Sequence, residues 1–430
     1  MDESQASAPG TSEWRNWSGS VVTRPAKIAR PRDEEELASV IRGSDQVRVT
    51  GAGHSFAPLC ETKGTLISLE DMVGDLVVAP DRQSVDAPAG WSLKRLTERL
   101  WAEGLSLPNQ GDVNPQSLAG ALATGTHGTG RDLGSLSTLA EGFRLALADG
   151  SLVDCDRGSD PELFEAQRLS LGLLGVATRA RVRVMPALRL EERIERVALG
   201  EVIERFDELA AATRHMEFFL FPYADAVMLK TLQPCEEGGD PRDEGSDAVF
   251  QACCDLAAVA PRAIPLIHRT LTRAWRGSVR LGPAWRIFPS TREVRFEEME
   301  YEIPIAAGLQ ALREALLQVR DHRIPLAFPF EFRLVAADDI WLSPFHAGPC
   351  TSISVHQYAK MPWQGPFAEL ETIFSAHGGR PHWAKRHTLS ADDVLALYPR
   401  TTDFGRVRQR VDPEGKFMNQ HTSQLFGFGV

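Results

Sequence analysis

At Met185-Pro186 the chain changes its hydropathy period, and that change constrains the fold more than any single motif. Before it, helical spacing and short apolar runs alternate. Leu37, Val40 and Ile41 form one face of a helix that Asp33 caps and Gly43 stops, with Glu34, Glu35 and Glu36 in its first turn. A second helix gathers Leu93, Leu96, Leu100 and Trp101 and ends at Gly104. Gln46 to Thr50, Leu66 to Leu69, Leu76 to Ala79 and Ser84 to Ala87 read as strands, and FRLALADGSLVDC (143–155) as a hairpin about Asp149-Gly150. After Met185-Pro186, the runs RLEERIERVAL, MEFFLFPY and VRFEEMEYEIP alternate with period two, the pattern of antiparallel strands with one wet face. A helix carrying Leu309, Leu312, Leu316 and Val319 lies among them.

A mixed unit followed by a sheet-based unit suits 430 residues, too many for one core. The 47 Lys and Arg against 58 Asp and Glu leave a net charge of −11, which disfavours a phosphate-tracking surface, so nucleic acid is not an expected partner. No window reaches the roughly twenty apolar residues of a membrane span. The first twenty residues lack the basic start and apolar core of a secretion signal, and the first ten read as frayed. Six scattered cysteines, without metal-ligand spacing, suit reduced thiols and a cytoplasmic location. Glu236 to Asp247 reads as an acidic surface loop. Leu256 to Trp275, with Arg262, Arg269 and Arg273 among aliphatics, reads as a packed helix interrupted at Pro261 and Pro265; contact with a membrane surface or a partner is the alternative.

Three glycine-dense stretches lie in the first unit: TGAGHSF (50–56), SLAGALATGTHGTG (117–130) and LGLLGVAT (171–178). Glycines allow close backbone approach to a ligand and present successive N–H groups to an anion, so together they suggest a pyrophosphate cradle. None is followed by Gly-Lys-Ser/Thr, and none has the third glycine that opens a dinucleotide-binding helix. A P-loop nucleotidase and a nicotinamide Rossmann domain are thereby disfavoured. His54 follows its glycine pair at the mouth of a strand, where an imidazole can reach a cofactor. His382 and His387 have poor spacing for a metal pair, and no metal is expected. His215, His268, His322, His346, His377 and His421 read as structural or exposed.

With GAGHSF (51–56), QGDVNPQSLAGALATGTHGTG (110–130), LGLLGVATRARVRVMP (171–186), EFRLVAADDIWLSP (331–344), RPHWAKRH (380–387) and DPEGKFMNQH (412–421) in this order, the chain resembles the flavoprotein superfamily of vanillyl-alcohol oxidase. Within it, the likeness is to the branch of aldonolactone oxidoreductases and alditol oxidases, and spans Trp14 to Phe426. The resemblance implies an α+β fold. A two-lobed, PCMH-type FAD-binding domain would occupy residues 14–186, a cap domain with a large antiparallel sheet flanked by helices 187–379, and a segment returning to the FAD domain 380–430.

The same resemblance implies FAD held covalently through His54, with Gly51, Ala52, Gly53 and Ser55 around it. It implies main-chain pyrophosphate contacts at Leu122, Gly125, Thr129 and Gly130, a main-chain contact at Val176, and Ser117 facing the ring or the substrate. Glu331 and Arg333, two apart in a strand, share a face, as do Ser354 and His356. Alditol oxidases show His-x-Thr where this chain has Ser354-x-His356, so the chain looks more like bacterial gulono- or arabinono-lactone-oxidising members. Glu331 or His356 is expected to receive the hydroxyl proton, and Arg333 and Lys385 to stabilise the developing negative charge. The implied activity is oxidation of a sugar-derived aldono-1,4-lactone, with a terminal carbinol of a polyol such as xylitol or sorbitol as the alternative. Oxygen or a redox carrier would be the electron acceptor.

Overall fold

The computed structural model describes residues 13–427 apart from 237, 240–246, 291–292 and 347. The chain first builds a small parallel sheet. Its strands are β1 (Lys27–Ala29), then, after helix α1 (Glu34–Arg42), β2 (Val47–Thr50) and β3 (Thr65–Ser68), in spatial order β1-β3-β2. Asp33 caps α1 by accepting the Glu36 N–H at 2.8 Å, an interaction typically worth about 1 kcal/mol. Leu37 and Ile41 of α1 pack on Val47 and Ile67.

A second lobe follows: β4 (Val77–Val78), β5 (Ser84–Pro88), α2 (Leu93–Ala102), α3 (Leu118–Thr124), β6 (Ala140–Ala146), β7 (Leu152–Asp156), α4 (Pro161–Gln167) and β8 (Val176–Arg183). Its five strands are antiparallel in order β7-β6-β8-β5-β4. The β6–β7 hairpin turns at Asp149-Gly150, where Gly150 has φ +81° and so needs no side chain.

The second unit is one eight-stranded antiparallel sheet. Its elements are β9 (Arg189–Ala198), β10 (His215–Leu220), β11 (Ala226–Pro234), the helices α5 (Ala248–Val259) and α6 (Ile264–Ala274), β12 (Ser278–Pro283), β13 (Phe296–Pro304), α7 (Ile305–Asp321), β14 (Phe330–Val335), β15 (Cys350–Tyr358), α8 (Gln364–Ala376) and β16 (Arg380–Pro381). The spatial order is β12-β9-β11-β10-β14-β15-β13-β16. Met299, Tyr301, Phe330, Phe332, Ile353 and Val355 point to one face, where they pack with Leu312 and Leu316 of α7 and with Phe367, Leu370 and Phe374 of α8.

The opposite face departs from the expectation of a wet surface. Glu298, Glu300 and Glu302 alternate with the apolar residues of β13 as the sequence requires, yet all three are buried. They are covered because this face of the sheet is turned toward the glycine-rich loops, and because each acid has a partner there. Among residues 236–247, the proposed surface loop lies mostly outside the described residues, as do the first ten residues of the chain.

After β16 the chain returns. The Phe56 N–H donates to the Ala384 carbonyl at 2.7 Å and the Val47 N–H to the Lys416 carbonyl at 2.8 Å. Trp383, Tyr398, Phe404 and Phe426, the last three on α9 (Ala391–Leu397) and its successors α10 (Thr401–Val411) and α11 (Gln420–Phe426) or their ends, share a core with Leu100, Leu163 and Phe164. All six cysteines are free thiols. No helix among the described residues is long and apolar enough to cross a membrane.

Candidate active site between the glycine loops and the sheet

A cavity of about 490 Å³ separates the glycine loops from the charged face of the large sheet. Its floor includes Gly51, Ala52, Gly53, His54 and Ser55 after β2, Ser117 and Gly120 at the start of α3, and Gly172, Gly175 and Val176 leading into β8. Its roof includes Glu298 and Glu300 of β13, Glu331 and Arg333 of β14, His356 of β15, and His382 and Lys385 after β16.

The floor fits an extended dinucleotide. Thr50 ends a strand and the chain then turns through Gly53 at φ +69°. The backbone N–H groups of Ala52, Gly53, His54 and Ser55 find no acceptor among the described residues, an arrangement of consecutive donors that suits an anion. Gly51 is needed here because a Cβ would collide with Ser117 Oγ, which itself caps α3 by accepting the Gly120 N–H at 3.2 Å. The Trp91 indole nitrogen, Gln116 Oε1 and Gln167 Oε1 are buried in the cavity lining without a partner among the described residues. A flavin dinucleotide offers both acceptors and donors to such groups.

Four of the main-chain contacts expected from the second glycine stretch do not reach the cavity. Leu122 lies inside α3, the Gly125 N–H donates to Leu122, and the Gly130 N–H donates to Leu334 on β14. Thr129 instead holds Leu334, whose N–H donates to the Thr129 hydroxyl at 3.1 Å. This segment fastens the two units together, while the first glycine loop keeps its donors open. Ser117, Gly120, Ala123, Thr124, Thr126 and His127 represent the second stretch in the cavity.

The His54 ring stacks on Trp17, with centroids 5.4 Å apart and planes at 25°. Burial, aided by the Lys385 charge, lowers its pKa to about 4, so the imidazole is neutral and nucleophilic at neutral pH.

Arg333 and Glu331 share a face and meet directly, and both are buried rather than forming a surface pair. Arg333 also meets Glu217 of β10 at 3.0 Å and Asp112 at 3.6 Å. Glu217 in turn holds Lys230 of β11 at 2.7 Å, and Arg280 of β12 reaches Glu192 of β9 at 2.7 Å. Lys230 and Glu192 close the row at 3.7 Å. Burial disfavours charge on Arg333, but Glu331, Glu217 and Asp112 raise its pKa well above the ordinary value.

On the other side of the roof, Lys385 Nζ meets Glu298 Oε2 at 2.5 Å, and His356 Nε2 lies 3.4 Å from Glu298 Oε1. His356 Nδ1 faces the Pro329 carbonyl at 3.3 Å. Burial alone would raise the Glu298 pKa, yet Lys385 and His356 lower it to about 2. Ser354 shares its strand face with His356 but does not line the cavity; its hydroxyl donates to Glu300 at 2.6 Å.

Sequence reasoning overlooked the group beneath Ser354. His127 Nε2 lies 2.6 Å from Glu300 and 3.5 Å from Glu302. Burial opposes the imidazolium, but the two carboxylates overcome it and raise the His127 pKa to about 10. Glu302 is raised by burial to about 7. His382 does not pair with His387; it stands beside His127, and donor atoms of His127, Glu300 and His382 lie within 4.8 Å of one another. Period-two glutamates in a strand already rich in aromatic and aliphatic residues are the signal that a buried acidic row was present. His127 had none beyond its place in a glycine loop.

The comparisons agree with this architecture. Residues 180–425 match the family described as D-arabinono-1,4-lactone oxidase, and residues 25–156 match an FAD binding domain. The chain is 35% identical to an L-gulono-1,4-lactone dehydrogenase of Mycobacterium tuberculosis over 96% of this chain and 99% of the relative. It is 30% identical to an L-gulonolactone oxidase of Scyliorhinus torazame (96% and 98%) and 29% identical to an alditol oxidase of a Streptomyces species (95% and 98%). In fold it is similar to a solvent-stable cholesterol oxidase, with a TM-score of 0.84 at 16% identity and 97% of each chain covered. An FAD-binding unit, an antiparallel roof and a likeness that runs the length of the chain converge: this chain belongs to the D-arabinono-1,4-lactone oxidase family of FAD-dependent oxidoreductases.

Proposed function

We propose that this chain oxidises a neutral, sugar-derived aldono-1,4-lactone at the carbinol beside its carbonyl, using FAD attached through His54. The observation that carries the substrate class is the pairing of charge in the roof. Lys385 is matched by Glu298, Arg333 by Glu331, Glu217 and Asp112, and His127 by Glu300. A substrate carboxylate would find no uncompensated cation there, whereas hydroxyls would find carboxylate acceptors and ammonium and guanidinium donors. The names of the relatives support a lactone over a polyol.

FAD supplies a hydride acceptor when bound on the floor. Residues 14–186 hold it, with Gly51, Ala52, Gly53 and Ser55 presenting the first loop, Val176 the third, and Ser117 standing between cofactor and substrate. Neutral His54 provides the nitrogen for the covalent bond. Glu331 receives the hydroxyl proton, because both nitrogens of His356 already face oxygen atoms of Pro329 and Glu298. Arg333 keeps Glu331 oriented and, with Lys385, stabilises negative charge arising on the cavity floor. His356 and Ser354 fix Glu298 and Glu300, and residues 187–379 as a whole exclude water above the reacting carbon. The free thiols are consistent with a cytoplasmic enzyme.

The test is side-by-side turnover of aldono-1,4-lactones and a pentitol, each with oxygen and with a dye acceptor. Acid-denatured, protease-digested protein is analysed in parallel for FAD on the His54 peptide. Lactone turnover at least tenfold above pentitol, with the adduct on His54, is the expected result. Preferential pentitol turnover would overturn the substrate, and release of all flavin on denaturation would overturn the attachment.

A further inference from the structure

Lys230 is a buried cation that does not line the cavity. It stands in the apolar run VMLKTL of β11. The strand register places Lys230 opposite Glu217 of β10, and Glu217 opposite Arg333 of β14, so the three lie side by side on the charged face of the sheet. Lysine is almost never buried without a partner, and this one has three: Glu217 at 2.7 Å, Asp112 at 3.5 Å and Glu192 at 3.7 Å. Burial opposes its charge, but Asp112, Glu217 and Glu192 raise its pKa above the ordinary lysine value.

Two of these carboxylates are divided between two cations. Glu217 turns Oε1 to Lys230 and Oε2 to Arg333. Asp112 turns Oδ1 to Lys230 and Oδ2 to Arg333. Arg333 and Asp112 line the cavity, whereas Glu217, like Lys230, stands behind them. On the far side, Glu192 spans from Lys230 to Arg280, which grips it with two nitrogens at 2.7 and 2.9 Å. Stability alone does not call for a lysine here, since a buried ion pair is often no better than apolar side chains of similar volume. What the lysine adds is a fixed positive charge behind Arg333 and a hold on two carboxylates that would otherwise bear more strongly on Arg333.

We propose that Lys230 is a positioning residue for flavin reduction: by holding one oxygen each of Glu217 and Asp112, it keeps the Arg333 guanidinium on Glu331 and sustains the positive field that stabilises negative charge arising on the cavity floor. This rests on the proposed placement of FAD on that floor. Loss of Lys230 has two consequences of the same sign. The field at the floor becomes more negative, and Glu217 and Asp112 draw the guanidinium away from Glu331.

The test measures, on holoenzyme, the two-electron midpoint potential of the flavin and the dissociation constant of sulfite, which adds to the oxidised ring and leaves negative charge on it. Neither readout requires turnover. In Lys230→Met the reduction equilibrium is expected to be at least about tenfold less favourable, about 30 mV lower in potential, with sulfite bound about tenfold more weakly. Lys230→Arg, which keeps the charge, stays within about threefold of the parent. In an Arg333→Met background the further effect of Lys230→Met shrinks to about a third or less, because the lysine acts through the arginine. Lys230→Gln, which keeps a donor for Glu217, gives the same comparison where Lys230→Met fails to accumulate. Lys360→Met, at an exposed lysine paired with Asp255, leaves both readouts unchanged. The proposal is overturned by a parent-like potential in Lys230→Met and Lys230→Gln while Arg333→Met lowers it, by a loss in Lys230→Arg as large as in Lys230→Met, or by full additivity with Arg333→Met. Unfolding of both neutral variants also overturns it, since the lysine would then serve the fold alone. Protein without flavin, or a potential that responds to no variant at Lys230 or Arg333, overturns instead the placement of FAD on the floor.

Discussion

Lys385, from the segment that returns after the large sheet, and Glu298, from the centre of β13, meet at 2.5 Å in the roof of the cavity. The pair neutralises a cation that faces the substrate space. Glu298→Gln leaves Lys385 with an unpaired charge, and two effects follow. The open-chain aldonate is expected to inhibit competitively with at least about tenfold tighter binding than in the parent enzyme, because one ion pair in a partly enclosed site is worth about 1.4 kcal/mol or more. The buried pair is also lost, which lowers unfolding free energy by about 1–3 kcal/mol. Inhibition constants for lactone and aldonate, with a denaturant titration, check both. An unchanged aldonate constant would show that Lys385 does not read substrate charge.

Arg333 is held by Glu217, Glu331 and Asp112 at once. A lysine offers one point of charge and cannot span three carboxylates as a guanidinium fork does. Arg333→Lys is therefore expected to lower kcat by at least about a hundredfold. Glu217→Gln, which removes one of the three anchors and takes from Lys230 its nearest carboxylate while leaving Asp112 and Glu192 beside it, is expected to lower kcat about tenfold with little change in KM. Steady-state kinetics on both variants give the comparison, and the reduction potential of the bound flavin should fall in Arg333→Lys by more than in Glu217→Gln. A potential unchanged in both would place Arg333 away from the isoalloxazine.

The sequence marked the architecture more fully than the site, and the reason is physical. The change of period at Met185-Pro186 follows from backbone geometry, so α1, α2, the β6–β7 hairpin and the strands β9, β10 and β13 were legible from local pattern, whereas β11 and β12 were not read as strands. Glu331, Arg333, Ser354 and His356 were legible as pairs, since residues two apart in a strand share a face. What sits across from them was not. The register that sets Glu298 opposite His356 and Glu300 opposite Ser354 is a non-local fact. Burial of the glutamate row depends on a second domain that no strand-level pattern announces. The second glycine stretch is ambiguous for a related reason: the Gly130 N–H suits a phosphate equally well as it suits the Leu334 carbonyl, and only the fold shows which acceptor is near.

Gly51 tests the cradle without touching a charged group. A methyl group there collides with Ser117 Oγ, so the first and second glycine loops cannot close to their present distance. Gly51→Ala is expected to reduce flavin content by at least half and to lower the unfolding midpoint by a few degrees, consistent with about 1 kcal/mol of strain. The ratio of flavin to protein absorbance, before and after incubation with excess FAD, measures the first effect. Full flavin occupancy in this variant would mean that the loops tolerate separation and that the close contact is not needed for binding.

Acid sensitivity should come from histidines rather than from the ion pairs. Burial lowers the pKa values of His215, His268 and His421 to about 4 and those of His382 and His387 to about 3, so the folded chain holds them neutral. In the unfolded chain they protonate near 6.5. Between about pH 6.5 and 4 the unfolded state binds more protons, and stability falls as pH falls, by up to about 1.4 kcal/mol per pH unit for each such histidine. His127 and Glu302 work in the other direction. His127 has a folded pKa of about 10, so its contribution is fully present below pH 6.5 and is lost as pH rises through 10. Glu302, raised to about 7, favours the fold below the ordinary glutamate pKa and loses that contribution as pH rises through 7. Five histidines outweigh one glutamate in the acid limb, so the unfolding midpoint should be highest near neutrality, drop steeply below pH 6, and decline gently toward pH 10. His268→Asn, which keeps a polar group at a site whose Nε2 faces the Ala327 carbonyl, should make the acid limb shallower by about one proton. Thermal melts from pH 4 to 10 on both proteins measure the two slopes, and an identical acid limb in the variant would remove His268 from the set that titrates on unfolding.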